Sequence, residues 1–474
     1  MRRVKLHTLF RRLLSVEYML KPSQRTDQPL PSSKDVYLRQ YRISWPCAVE
    51  SVLVSLIGSI DTMMVGGISP EAIAAVGITN QPKFILLAVI FSLNAGVTAV
   101  VARRKGQNDM DGANRCLRQC LIISFCLSLF MGAIGLIFAR PIMLFAGAGA
   151  DIIGDATSYF RILMISLVFM SVSLTINAAQ RGVGNTKISM RTNVGANLFN
   201  ILFNYLLING IWIFPKMGVQ GAAVATVIGN MAACIMSVLS LYHRAEFLEM
   251  RHKVSWRFDK KTMSSIISIS GSAMVEQVFM RIGFFTYAKI VATLGTVAFA
   301  THQVCMNIIS PSFAFGDGLG VAASSLVGQS LGEKRPDMAL IYGKTGQRMA
   351  FGVSTVLFFL FLFGGRFLVS LFSTDVQVQT LGAEIMVIIA CTTHFQTSAV
   401  VFSGCLRGAG DTKFVAMTSF LSIGIIRPIL SYLLCAPLGL GLVGAWLGLL
   451  ADQFLRFSLN MFRFKGGRWT RIEV

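Results

Sequence analysis

Charge is scarce in this 474-residue chain: Asp, Glu, Lys and Arg together make up 14% of it, against roughly a quarter in soluble proteins. Acids are the scarcer sign, 22 against 43 Lys and Arg, for a net charge of +21. The nine Cys include no Cys-x-x-Cys pair, and the nearest two are Cys116 and Cys120. Neither a disulfide framework nor a metal site is expected, and no cofactor. With only five His, no Ser-His-Asp order, no Gly-rich phosphate loop and no soluble catalytic domain, neither an enzyme nor an ATP-driven pump is expected. The chain is polar and basic up to Arg42. It lacks the apolar core and small-residue cleavage site of a signal peptide, so none is expected.

What the chain has is apolar sequence: 54% hydrophobic residues and a mean hydropathy of +0.64. Long runs recur, among them Ile85 to Val101, Leu121 to Ala139 and Met349 to Phe363. A helix of about 20 such residues crosses a hydrocarbon core of roughly 30 Å. An all-α transmembrane protein of twelve spans is predicted, at 43–66, 79–101, 118–139, 157–180, 190–212, 219–242, 264–293, 299–328, 347–370, 383–405, 413–436 and 441–463. Counting each loop together with the five adjoining residues of its spans, Lys and Arg alternate between the two sides, 34 against 6. By the positive-inside rule both termini are cytoplasmic. This spread of charge suits anionic lipid headgroups and argues against a nucleic-acid partner.

The chain also contains itself twice. A shift of 226 residues carries Ile43, Ser44, Val49, Glu50 and Val52 onto Ile269, Ser270, Val275, Glu276 and Val278. Without a gap it also carries Arg181-Gly182-Val183-Gly184-Asn185-Thr186-Lys187 onto Arg407-Gly408-Ala409-Gly410-Asp411-Thr412-Lys413. Six spans per copy make the halves parallel repeats. The expected organisation is a basic segment over 1–42, a six-helix lobe over 43–242, a cytoplasmic linker over 243–263, a second lobe over 264–463 and a tail over 464–474.

A carboxylate inside a membrane span is costly unless it faces a cavity or a partner. Glu50, Asp61, Glu276, Asp317, Glu384 and Asp452 are the ones to explain. Glu50 and Asp61 share a helix face, eleven residues and about 16 Å apart. Glu50 and Glu276, as repeat mates, are expected to line a central space where the halves meet. The alternative is that these acids neutralise Arg161, Arg281, Lys289 or Arg427, and Asp317 and Asp452 fit that reading equally well. Arg456 lies one turn from Asp452. Asn193, Asn197, Asn200 and Asn204 put a polar stripe on span five, which either ligates a cation or joins helices. Thr226 adds a hydroxyl on span six, and Pro46 permits a bend in span one.

Taken with these, Asp61-Thr62-Met63-Met64-Val65-Gly66, the two Arg-Gly-x-Gly motifs, Ala300-Thr301-His302-Gln303-Val304 and Val327-Gly328-Gln329-x-Leu331-Gly332 resemble the multidrug and toxic compound extrusion (MATE) family, in its NorM-like branch. The resemblance spans roughly residues 40 to 463. It implies two six-helix bundles forming a V around a central cavity, and efflux of organic cations across the plasma membrane by antiport with protons or sodium ions. It further implies cation coupling at Asp61, with Asn200, Asn204 and Thr226 as its polar partners and Pro46 as a bending point. Binding of substrate or a second cation is expected at Glu276, Glu50, Gln396 and Gln303. The branch's span-ten aspartate aligns with Gln396, and its span-seven glutamate with Met280. Both departures weaken a cation site in the second lobe. The expected partners are small organic compounds and membrane lipids, and the chain is expected to act as a monomer. A flippase for a lipid-linked sugar precursor is the alternative, because Arg161, Arg281, Lys289 and Arg427 would suit a pyrophosphate.

The charge alternation makes a direct prediction. An impermeant thiol reagent added outside intact cells should label a cysteine placed in the loop at 140–155 and leave one in 246–261 untouched. Labelling of the second from outside would reverse the topology.

Overall fold

The computed structural model describes residues 15–66, 68–242 and 246–472, apart from the side chains of 23, 57, 59, 61–63, 66, 70 and 73. Among the described residues every predicted span is a helix. They are α1 (Ser33–Gly66), α2 (Pro70–Gly106), α3 (Met110–Ile137), α4 (Ile153–Val183), α5 (Thr186–Asn209), α6 (Gly218–Ser240), α7 (Lys260–Ala292), α8 (Thr296–Gly332), α9 (Pro336–Ser370), α10 (Val376–Gly408), α11 (Thr412–Cys435) and α12 (Gly441–Gly466). A short helix, Ala139–Phe145, follows α3. Nine of the twelve long helices are long and apolar enough to cross a membrane, by length and composition, among the described residues. Of the other three, α5 is interrupted by its five asparagines, and α7 by Glu276, Arg281 and Lys289. Helix α1 carries Glu50 in its interior.

The repeat is visible in the packing. Helix α4 packs on α3 and on α6, and α5 on α6; likewise α10 packs on α9 and on α12, and α11 on α12. The Arg-Gly-x-Gly motif ends α4 and α10. Gly184 and Gly410 sit at φ +90° and +88°, the left-handed conformation that closes a helix and that side chains resist. Two residues earlier, a Cβ at Gly182 would meet the Thr98 carbonyl, and one at Gly408 the Ser324 carbonyl. Thr98 and Ser324 are themselves 226 apart, so the motif is a device for close helix approach used twice.

The two compact units are not the two halves of the sequence. The N-unit comprises Val49–Val101 and Asp109–Met274; the C-unit comprises Val275–Val474, Ala102–Asn108 and the described part of Met1–Ala48. The units therefore do not coincide with the lobes expected over 43–242 and 264–463. Helix α1 passes from one unit to the other after Ala48 and α7 after Met274, again 226 residues apart. Pro46, inside α1, lies two residues before that passage and removes a backbone hydrogen bond there.

Each unit holds down a polar segment outside the long helices. In the N-unit, the buried Arg118 guanidinium donates to the carbonyls of Met250, His252 and Val254 and lies 5.1 Å from the Trp256 ring. Asn114 donates to Phe247 O (3.0 Å) and accepts from Glu249 N (2.9 Å), and Gln119 donates to Arg257 O (2.8 Å). Asp259 then accepts from the hydroxyl and backbone N–H of Thr262 at the start of α7, bonds that hold its carboxyl below the usual range. In the C-unit, Lys344, the repeat mate of Arg118, donates to the Met19 carbonyl. Val16, Met19 and Leu20 are buried there with α8 and α9 side chains.

Charged donors to carbonyls contribute about 1.5 kcal/mol or more each. Replacing Arg118 with Ala should free the segment 247–257 by about 2 kcal/mol or more. Trypsin should then cut at Arg251, Lys253 and Arg257 at least tenfold faster. Equal cleavage of variant and parent would show that the guanidinium does not hold the linker.

Candidate functional site

The two repeat-mated glutamates are each buried against an arginine. Glu50 on α1 is 7% exposed. One of its oxygens accepts from Arg181 Nη1 (3.3 Å), from Ser189 Oγ (2.9 Å) and from Asn193 Nδ2. Glu276 on α7 is 3% exposed. It accepts from Arg407 through Nη2 and Nε, and from Ser419 Oγ at 3.1 Å. Arg181 and Arg407 are the first residues of the two motif copies, and Asn193 and Ser419 are also 226 apart. One triad of carboxylate, guanidinium and neutral donor is thus built twice, once in each unit. Low dielectric makes such a pair cohesive and an unpaired member costly.

These pairs qualify the expectation that both carboxylates stand ready for a cation, since each already has one. The partners were legible in principle, because acid and arginine both survive in both copies of the repeat. Their contact could not be read from spacing alone, since 131 residues separate the members of each pair.

The asparagine stripe of α5 divides between two tasks. Asn193 serves Glu50, and Asn197 donates to the Asn193 carbonyl at 2.8 Å. Asn200 donates to Thr226 Oγ1 on α6 (3.3 Å), Asn204 donates to Asn200 Oδ1 (3.3 Å), and Thr226 donates to the Ala222 carbonyl (3.0 Å). Asn200 and Asn204 are buried. Three of the four residues expected at the coupling site therefore meet inside the N-unit. The Asp61 backbone belongs to α1 of the same unit, and its side chain lies outside the described residues.

The remaining candidates do not converge. Gln396 on α10 is buried and accepts from Ser312 Oγ at 3.4 Å, while its Nε2 has no acceptor among the described residues. Gln303 is exposed on α8. Neither is bonded to Glu276 among the described residues. Asp317 is acted on by the charges of Arg407, Arg456 and Glu276. Asp452 is fully buried and pairs with Arg427 at 2.6 Å rather than with neighbouring Arg456. No cluster of three or more His, Cys, Asp or Glu that could hold a metal ion occurs among the described residues.

Comparisons with known proteins agree with the repeat. The sequence model of the MatE family matches the chain twice, over residues 46–206 and 272–433, windows that begin 226 residues apart. The chain is 28% identical over 442 residues to a probable multidrug resistance protein NorM of Thermotoga maritima, covering 91% of this chain and 93% of that protein. It is 27% identical to the multidrug resistance protein PmpM of Pseudomonas aeruginosa, covering 84% and 85%. Among solved structures it is similar in fold to an outward-facing multidrug resistance MATE family transporter of the MOP superfamily. That match has a TM-score of 0.85 at 19% identity and covers 91% of this chain and 97% of the other.

The buried pairs predict an asymmetry between single and double variants. Arg407→Gln strands Glu276 and should cost about 3 kcal/mol, the low end for a buried pair because the arginine is partly exposed. Glu276→Gln combined with Arg407→Gln should recover most of that. Thermal unfolding of the detergent-solubilised variants reads the difference, and a double variant no more stable than the single would show that the charges do not act as a pair.

Proposed function

The chain belongs to the MatE family, and from that premise we propose that it is a secondary active efflux transporter. It moves small organic compounds, chiefly cations, out across the plasma membrane by antiport with protons or sodium ions. It works as a monomer with both termini in the cytoplasm. The relatives are named for multidrug resistance, and the proposal carries that substrate class to this chain.

The observation that supports the reading best is the buried set Asn200, Asn204 and Thr226, in the unit that also holds the Asp61 backbone. Burial raises a carboxyl's affinity for a proton, because the charged form loses its hydration. A primary amide donates through its nitrogen and accepts through its oxygen. Two such amides can donate to Asp61 as a carboxylate and accept from it as an acid, so either state keeps its partners. The same oxygens, with the Thr226 hydroxyl, are hard ligands of the kind a sodium ion takes. Met280 and Gln396 stand where the branch has carboxylates, so Glu276 lacks the branch's usual second acid. A proton coupled at Asp61 is therefore the favoured form.

Arg427 was one of four cationic residues that suited a pyrophosphate carrier. Its pairing with Asp452 cancels that charge, and Arg161 and Lys289 are exposed side chains. The fourth, Arg281, is half-buried on α7.

Efflux of a fluorescent organic cation from reconstituted vesicles, with proton and sodium gradients imposed separately, tests the proposal. Asp61→Asn should fold normally and lose gradient-driven efflux. Asn204→Ala should lower it roughly tenfold, the worth of one lost hydrogen bond in a buried site. Full transport by Asp61→Asn would overturn the assignment.

A further inference from the structure

The register of the two repeats shows what the C-unit holds where the N-unit has its coupling site. Up to α7 the shift of 226 stands, and it places Tyr287 at the position of Asp61. Helix α11 then contains a π-helical stretch, Phe420–Ile426, that α5 lacks. Its extra residue moves the register to 227. Helix α11 ends one residue sooner than α5 in that register, and the loop before α12, residues 436–440, is three residues shorter than the loop before α6, residues 210–217, so the last helices correspond at 223. Packing verifies both shifts: Gly221 lies against the Leu207 carbonyl, and Gly444 against the Leu434 carbonyl.

Arg427 consequently takes the place of Asn200, Ser431 that of Asn204, and Asp452 that of Gly229. Gly229 lies directly against Asn200, and its counterpart Asp452 bonds to the counterpart of Asn200. The Arg427 side chain is 1% exposed and Asp452 0%. Arg427 Nε and Nη2 both reach the same oxygen, Asp452 Oδ2, at 2.6 Å. The guanidinium carbon stands 4.7 Å from the centre of the Phe284 ring and 5.8 Å from that of Tyr287. His302 packs on Tyr287 and on Trp446 behind them, with ring centres 5.4 and 5.6 Å apart.

A carboxylate with two aromatic faces is the chemistry that receives a small organic cation. Here the cation is covalently part of the chain. Both N–H groups crowd onto one oxygen, which leaves Asp452 Oδ1 without a donor and Arg427 Nη1 without an acceptor. The pocket thus retains bonding capacity that its tethered occupant does not use.

We propose that the C-unit contains a binding pocket for a guanidinium-type cation, formed by Asp452, Phe284 and Tyr287 and occupied by the side chain of Arg427. The tethered guanidinium closes this pocket to an exchangeable ion. The comparison rests on the coupling site proposed above. The binding test reads the C-unit pocket only, so the two can fail separately.

The test uses full-length protein in detergent, with guanidinium chloride at millimolar concentration as probe and sodium chloride at equal ionic strength as control. Arg427→Ala empties the pocket and should melt at a temperature that rises with guanidinium, as ligand binding to the folded state requires. The parent, and Arg427→Ala combined with Asp452→Asn, should respond no more to guanidinium than to sodium. No extra gain for Arg427→Ala, or an equal gain for the double variant, would overturn the proposal. Should Arg427→Ala alone fail to fold, recovery of folding by the double variant supports an unpaired carboxylate in the pocket. Failure of both would mean that the arginine acts through its bulk, and the pocket does not exist.

Discussion

Burial of a carboxylate beside a guanidinium is the constraint on which both units depend. An apolar interior tolerates neither charge alone, so Glu50 and Arg181 must meet, as must Glu276 and Arg407. Each pair ties the first helix of a repeat to the end of its fourth, and Asn193 or Ser419 draws in the fifth. The motif that supplies each arginine also ends its helix at a left-handed glycine and lets backbones approach through a second one. Charge pairing, helix termination and close packing therefore occur within one stretch of seven residues, and duplication copied them together.

Away from that shared frame the copies have diverged in polarity. The N-unit holds a neutral set of two amides and a hydroxyl, Asn200, Asn204 and Thr226. The C-unit answers with Tyr287, Arg427 and Asp452, a neutral set made of opposite charges and aromatic rings. A π-helical stretch and a shorter loop suffice to bring those residues into place. The two copies of one helix bundle thus hold different polar sets at corresponding positions.

The passage of α1 and α7 between the units gives the duplication a mechanical side. The leading part of each repeat's first helix packs with the other unit, so neither unit is made of one half of the sequence alone. Pro46 stands at the first passage and has no counterpart at the second, where Ser272 occupies its position and bonds back to the Ser268 carbonyl at 3.0 Å. Arg118 holds the linker and Lys344 the N-terminal segment by a related device, a cationic side chain donating to backbone carbonyls.

Much was legible in the sequence, because the relevant physics is local or one-dimensional. The twelve predicted spans all fall on helices, nine of them apolar runs of membrane length among the described residues, and the gapless shift of 226 identified the parallel repeat. The residue types on spans five and six marked Asn200, Asn204 and Thr226 as one polar set. The sequence left open which buried groups satisfy one another, since that depends on helices distant in the chain. Glu50 and Glu276 read as free acids until α4 and α10 brought Arg181 and Arg407 against them. Asp452 read as the neighbour of Arg456, one turn away, until the π-helical stretch of α11 delivered Arg427 instead. Hydrophobic periodicity states which side chains leave water; only three-dimensional packing decides which charge each buried charge will meet.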